Sequence, residues 1–170
     1  IDTNPRELPA PELNEPGITN SETSTDSDAR NNGPAYPTSI SFARLNKTIN
    51  VVNPVSRTIA DLDAALLEGA VRHPDSATLA QEGNVFLLAH SSYLPNVFNK
   101  NFQTFNGIED LQWGDIIELG TADSVYEYRV EKVYRARAQD VTVPIAGTGN
   151  ILTLATCNSF GSIDDRFIVE

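Results

Sequence analysis

The chain has 170 residues, 40% of them hydrophobic and 21% charged, with a net charge of −11 at pH 7. That length gives room for one domain with a real core, and the acidic balance argues against the basic face that nucleic acid needs. A single cysteine excludes an internal disulfide and a cysteine cluster for structural zinc.

No run approaches the ~20 apolar residues of a transmembrane helix. The chain begins at Ile1 rather than Met, as expected of a trimmed or mature fragment whose anchor or signal lies upstream. Residues 1 to 35 differ from the rest. Asp2, Glu7, Glu12, Glu15, Glu22, Asp26 and Asp28 face only Arg6 and Arg30, and proline recurs at 5, 9, 11 and 16. With no aromatic before Tyr36, this stretch buries too little apolar surface to offset its ordering entropy. It reads as a flexible linker. Leu8-Pro9-Ala10-Pro11 is its one extended, apolar-tipped segment, and a lid over a groove is the lesser alternative.

The globular part, 36 to 170, opens with a strand through Ile40, Phe42 and Leu45 and a second from Ile49 to Val55. A helix follows, capped by Thr58, with Asp61 and Asp63 in its first turn. Leu62, Ala65, Leu66 and Ala70 form its apolar stripe, and Gly69 suits its end. His73 sits in a loop before Pro74. Val85 to Ala89 is a short continuous apolar run, the pattern of a buried central strand, and it ends on His90.

Residues 91 to 112 are too rich in aromatics for a free loop, and a short helix is expected near 97 to 106. Strands are expected over 116–119 and 124–136, the second alternating Tyr126, Tyr128 and Val130 with Glu127, Arg129 and Glu131. Residues 139 to 149 form a loop carrying Val141, Val143 and Ile145, and apolar side chains on such a loop suggest a pocket wall. The last two runs, Ile151 to Cys157 and Asp165 to Val169, read as adjacent strands joined by a turn. Seven or eight strands with one or two short helices point to an all-β closed barrel.

His90, Cys157 and Arg166 stand at strand ends. A thiol becomes a strong nucleophile only as the thiolate, which nearby positive charge favours. A histidine can supply that charge and protonate a leaving amine. Arginine keeps its proton and so can only hold a substrate or an oxyanion. Each residue taken alone has a plainer reading: a buried small hydrophobe for Cys157, a satisfied strand-end imidazole for His90, an ion pair with Asp164 or Asp165 for Arg166. His73 keeps the structural reading.

Thr153-Leu154-Ala155-Thr156-Cys157, followed by Arg166 on the next strand, resembles the T-L-x-T-C strand and distal arginine of the sortases, the cysteine transpeptidases of bacterial cell surfaces. His90 matches their strand-end histidine, and Val71-Arg72-His73-Pro74 is a looser form of their G-x-x-H-x-P segment. Order and spacing agree from about Tyr36 to Glu170, although Ala89-His90-Ser91-Ser92 departs from the G-H-R triplet of many members.

The resemblance implies a closed eight-stranded sortase barrel that cleaves a sorting signal, often L-P-x-T-G, through a thioacyl intermediate. A cell-wall or pilin amine then resolves it. It implies Cys157 as nucleophile, His90 as general acid and base, and Arg166 as oxyanion or substrate stabiliser. Thr156, Ala89, Val141, Val143 and Ile145 would line the substrate site. It also implies that thiol and imidazole rest mostly neutral. No cofactor or metal is expected. The partners would be the sorting-signal peptide and the amine acceptor, with a location outside the membrane and a tether upstream. The alternatives are another cysteine peptidase, disfavoured because histidine precedes cysteine, and a non-catalytic or autoinhibited binding module on the same barrel.

Overall fold

The computed structural model describes residues 34–137, 140, 142–156 and 165–170. All but the last two residues of the linker expected over 1–35, together with Val141, Cys157 and the turn 158–164, lie outside the described residues.

The hairpin of β1 (Ser39–Phe42) and β2 (Lys47–Val52) turns through Asn46, whose φ of 46° is the left-handed conformation asparagine tolerates. Alternation puts Ile40, Phe42, Ile49 and Val51 inside. The helix α1 (Ile59–Leu66) starts where its cap predicts: the Thr58 hydroxyl accepts from the Asp61 amide at 3.2 Å. Ala70 belongs not to the helix but to β3 (Ala70–Arg72), a short strand parallel to β2. Gly69, between them, passes so close to β2 that a β-carbon there would lie 2.4 Å from the Asn50 carbonyl oxygen.

The run ending at His90 forms β4 (Gly83–Ala89), a central strand as expected, with β3 antiparallel on one side and β8 (Asn150–Thr156) parallel on the other. β9 (Asp165–Val169) then returns antiparallel to β8, with Leu154 opposite Val169 and Ala155 opposite Ile168. The two final runs are therefore adjacent strands.

The short helix expected near 97 to 106 is a 3-10 helix, Lys100–Gln103. A second, Ile108–Asp110, follows, and the connection 91–112 drives Phe105 and Ile108 fully into the core. Phe105 meets Phe42 edge-on, with ring centroids 6.2 Å apart.

The expected long strand over 124–136 is two strands, β6 (Val125–Arg129) and β7 (Val133–Arg137), which lie at opposite ends of one nine-stranded sheet. Inward-facing Tyr126, Tyr128 and Val130 are followed by Val133, an odd step that breaks the period of two. The chain between them crosses from one sheet edge to the other. Val130 bonds back to Asp115, just before β5 (Ile116–Gly120), while Glu131 and Lys132 donate to Glu170 at the end of β9. The sheet is thus curled, but no ladder closes it between β6 and β7 among the described residues, in place of the expected closed eight-stranded barrel. A cavity of about 520 Å³ opens along this seam, walled by Leu79, Ile117, Tyr126, Tyr128 and Leu152. It contains none of the candidate site residues.

Gly69→Ala should cost about 1–3 kcal/mol, because the added methyl meets backbone rather than a movable side chain. Urea denaturation followed by circular dichroism measures it. Gly114, where a β-carbon would meet nothing within 4 Å, controls for loss of a glycine as such, although its φ of 89° adds some strain of its own.

Candidate active site

The parallel ladder between β4 and β8 runs from Gly83 opposite Asn150 to Ala89 opposite Thr156. Because the strands are parallel, both leave the sheet at the same end. His90 follows Ala89 there, and Cys157 follows Thr156 in sequence. Ala89 and Thr156 are both buried. On β9, Arg166 stands opposite Ala136 of β7 and is half-buried. Asp165 beside it forms an ion pair with Arg135, its cross-strand diagonal neighbour.

The His90 imidazole is half-buried. Desolvation lowers its pKa from the ordinary histidine value, against an opposing pull from the Asp63 carboxylate on α1. Its ring lies against Phe102, with centroids 5.1 Å apart and planes inclined by 39°. Burial thus disfavours the charged form of this imidazole relative to an exposed histidine.

His73 is a loop fastener. Its Nδ1 accepts the Asp75 amide at 3.2 Å, and its own amide donates to Phe86 of β4. Next to it, Arg72 is only 4% exposed and donates to the carbonyls of His73 and Ser76 and to the side chain of Asn53. Its guanidinium also covers the Tyr36 ring at 5.0 Å. The match to a G-x-x-H-x-P segment thus falls on a structural corner.

Val143 and Ile145 are half-buried in the loop leading to β8. The Ile145 carbonyl accepts the Asn84 amide at 3.3 Å, at the start of β4. Six residues of strand separate that point from His90, about 20 Å at ordinary rise, so Ile145 is anchored at the far end of the strand. Sequence reading missed the residue that does the anchoring. Asn84, 3% exposed, donates its side-chain amide to the Pro144 carbonyl and to the Thr153 hydroxyl, both at 2.9 Å. It ties the loop to the strand that leads to the cysteine. The available signal was a polar residue opening a mostly buried strand, which needs a partner. Among the described residues no group of three or more His, Cys, Asp or Glu side chains comes together as a metal site would require.

The Sortase domain model matches residues 40–170. The chain belongs to the sortase family. No curated protein sequence matches it. Among solved structures, this sortase resembles sortase A from Corynebacterium diphtheriae, with a TM-score of 0.62 and 19% identity over 81% of this chain and 60% of that one. It resembles sortase C of Streptococcus pneumoniae with a TM-score of 0.61 and 20% identity, over 77% of this chain and 62% of that one. A Clostridium perfringens sortase D5 transpeptidase matches with a TM-score of 0.61 and 20% identity, over 79% of this chain and 76% of that one. This sortase therefore spans about three fifths of the first two proteins, and at these identities the likeness is one of fold.

Two outcomes follow. In an NMR titration the His90 imidazole should show a midpoint below the ordinary value of about 6.5. A lowered pKa means the native state binds fewer protons than the unfolded chain, so this contribution to stability is lost as pH falls below about 6.5 and is intact above it. The second concerns Asn84→Ala, which strands the Pro144 carbonyl. It should cost about 1–3 kcal/mol in urea denaturation and speed proteolytic cleavage within 142–149.

Proposed function

We propose that this sortase is a cysteine transpeptidase acting on an L-P-x-T-G-like sorting signal, with Cys157 as nucleophile, His90 as general acid and base, and Arg166 as oxyanion or substrate stabiliser. The observation that carries the reading is the β4–β8 register. Ala89 and Thr156, the residues before His90 and Cys157, are ladder partners, and each following Cα is only ~3.8 Å further along its chain. The return of β9 beside β8, carrying Arg166, supports the third member.

In this mechanism the Cys157 thiol gives its proton to the neutral imidazole as sulfur adds to the threonine carbonyl carbon. The developing oxyanion is held by Arg166, with Thr156 as a second donor. The carbon–nitrogen bond breaks, the leaving amine takes the proton from His90, and a thioester remains. An acceptor amine then adds to the thioester carbonyl and loses its proton to His90. The carbon–sulfur bond breaks and the thiolate is released and reprotonated. The lowered pKa of His90 suits this cycle, since a neutral imidazole is the form that accepts the first proton. Val143, with Val141, would cover the leucine and proline of the signal. The acceptor is a primary amine of a cell-wall precursor or pilin. Sortases act at the cell surface, and we place this domain outside the plasma membrane, tethered upstream. Among the described residues no helix is long and apolar enough to cross a membrane.

Mass spectrometry after incubation with an L-P-x-T-G peptide library and hydroxylamine tests the reading. Cleavage after threonine with a hydroxamate product is expected, absent in Cys157→Ala. His90→Gln should lower kcat by about 10²–10⁴, and Arg166→Ala by about 10²–10³. Turnover surviving in Cys157→Ala would overturn the mechanism.

A further inference from the structure

A catalytic histidine usually has its second ring nitrogen bonded to a carboxylate or carbonyl, which fixes both ring plane and tautomer. Among the described residues none does this for His90. What it has instead is supplied by the connection 91–112.

Three contacts converge on it. The Phe102 ring lies on the imidazole at 5.1 Å. The Phe105 amide donates to the His90 carbonyl at 2.9 Å, while its side chain is buried in the core. Asn106 brackets the next two residues. Its Oδ1 accepts from the Ser92 amide at 2.8 Å and the Ser91 hydroxyl at 3.1 Å, and its Nδ2 donates to the Ser92 carbonyl at 2.6 Å. The first 3-10 turn is itself fixed to α1, since the side chains of Asn99 and Asn101 both donate to the Leu67 carbonyl. Phe98, 95% exposed, braces Phe102 from outside, edge-on with centroids 5.2 Å apart. A phenylalanine that exposed, spent on one aromatic neighbour, has no core role.

We infer that Phe102 is a positioning residue for His90: its ring, tilted against the imidazole, limits the planes the imidazole can take, with Phe98 as its outer brace. This rests on His90 being the acid–base group proposed above. The backbone at His90 is held by Phe105 and Asn106, so replacing Phe102 removes the orientation of the ring and leaves the strand end in place. A ring contact of this kind itself occupies neither imidazole nitrogen, which suits a residue that accepts and returns a proton. The charged group that acts on the imidazole among the described residues is Asp63 of α1. It favours the protonated ring, against the desolvation that disfavours it.

The test uses the whole chain with Phe102→Ala, Phe102→Leu and Phe102→Tyr, each checked for a native circular dichroism spectrum. The imidazole is followed by NMR, with His73→Gln assigning the two histidines. Alkylation of the sole cysteine by iodoacetamide is followed against pH, and kcat and KM are taken on an L-P-x-T-G peptide. Phe102→Ala should raise the His90 midpoint toward about 6.5 and lower kcat about tenfold with KM changed less than about twofold. Phe102→Tyr should restore both. Phe102→Leu, which keeps cover without a ring face, should keep the low midpoint but not kcat. A folded Phe102→Ala with unchanged midpoint and unchanged alkylation profile overturns the inference, as does a Phe102→Leu enzyme equal to wild type. If the unmodified chain turns over no peptide, the transpeptidase reading fails on its own. The titration and alkylation arms then still decide whether Phe102 governs His90.

Discussion

The structure depends on the parallel pairing of β4 with β8. A parallel pair cannot be closed by a tight turn, so its strands come from distant parts of the chain, here separated by all of 90 to 149. In return both strands point the same way. The strand ends at Ala89 and Thr156 then lie side by side at one edge, whatever the intervening chain does. A hairpin of the same two sequences would send them to opposite ends. The antiparallel return of β9 adds a third strand to that edge and requires only a short turn.

How the long connection is filled follows from this pairing. Between β4 and β5 the chain must travel without unravelling the strand end it has just left. Phe105 and Ile108 solve that by entering the core, and Asn106 pays for the irregular backbone of Ser91 and Ser92 by bonding both. A 3-10 path suits such work better than an α-helix, because its turns are short and can alternate a buried ring with a side chain facing outward. The same feature that anchors the connection therefore sets the surroundings of His90, and the half-burial that depresses its pKa is a consequence of core packing nearby.

The legible parts of the sequence were those governed by local pattern. β4 carries a continuous apolar run and β8 an apolar run broken by threonines, Thr58 caps α1 as its type predicts, and the T-L-x-T-C run carried the family. The parts that escaped are those decided by distant partners. Ala70 reads as the end of a helical stripe, yet the close pass of Gly69 over Asn50 forces the chain into a strand beside β2. The alternation over 124–136 looks like one strand because nothing local marks Glu131 and Lys132 as the crossing. They are fixed by Glu170 at the other end of the chain. Asn84 could not be assigned because its partners, Pro144 and Thr153, lie 60 and 69 residues away.

The site's electrostatics follow the same division. From the sequence, His90 could lend a positive charge to a thiol. In the fold, its half-burial beside Phe102 works against carrying that charge, and the single opposing carboxylate, Asp63, acts from a solvent-facing helix where water screens it. In the proposed mechanism the proton accordingly moves with bond formation rather than ahead of it. Such a transfer is more sensitive to ring orientation than a preformed ion pair would be, since a field acts through space while a proton needs a line.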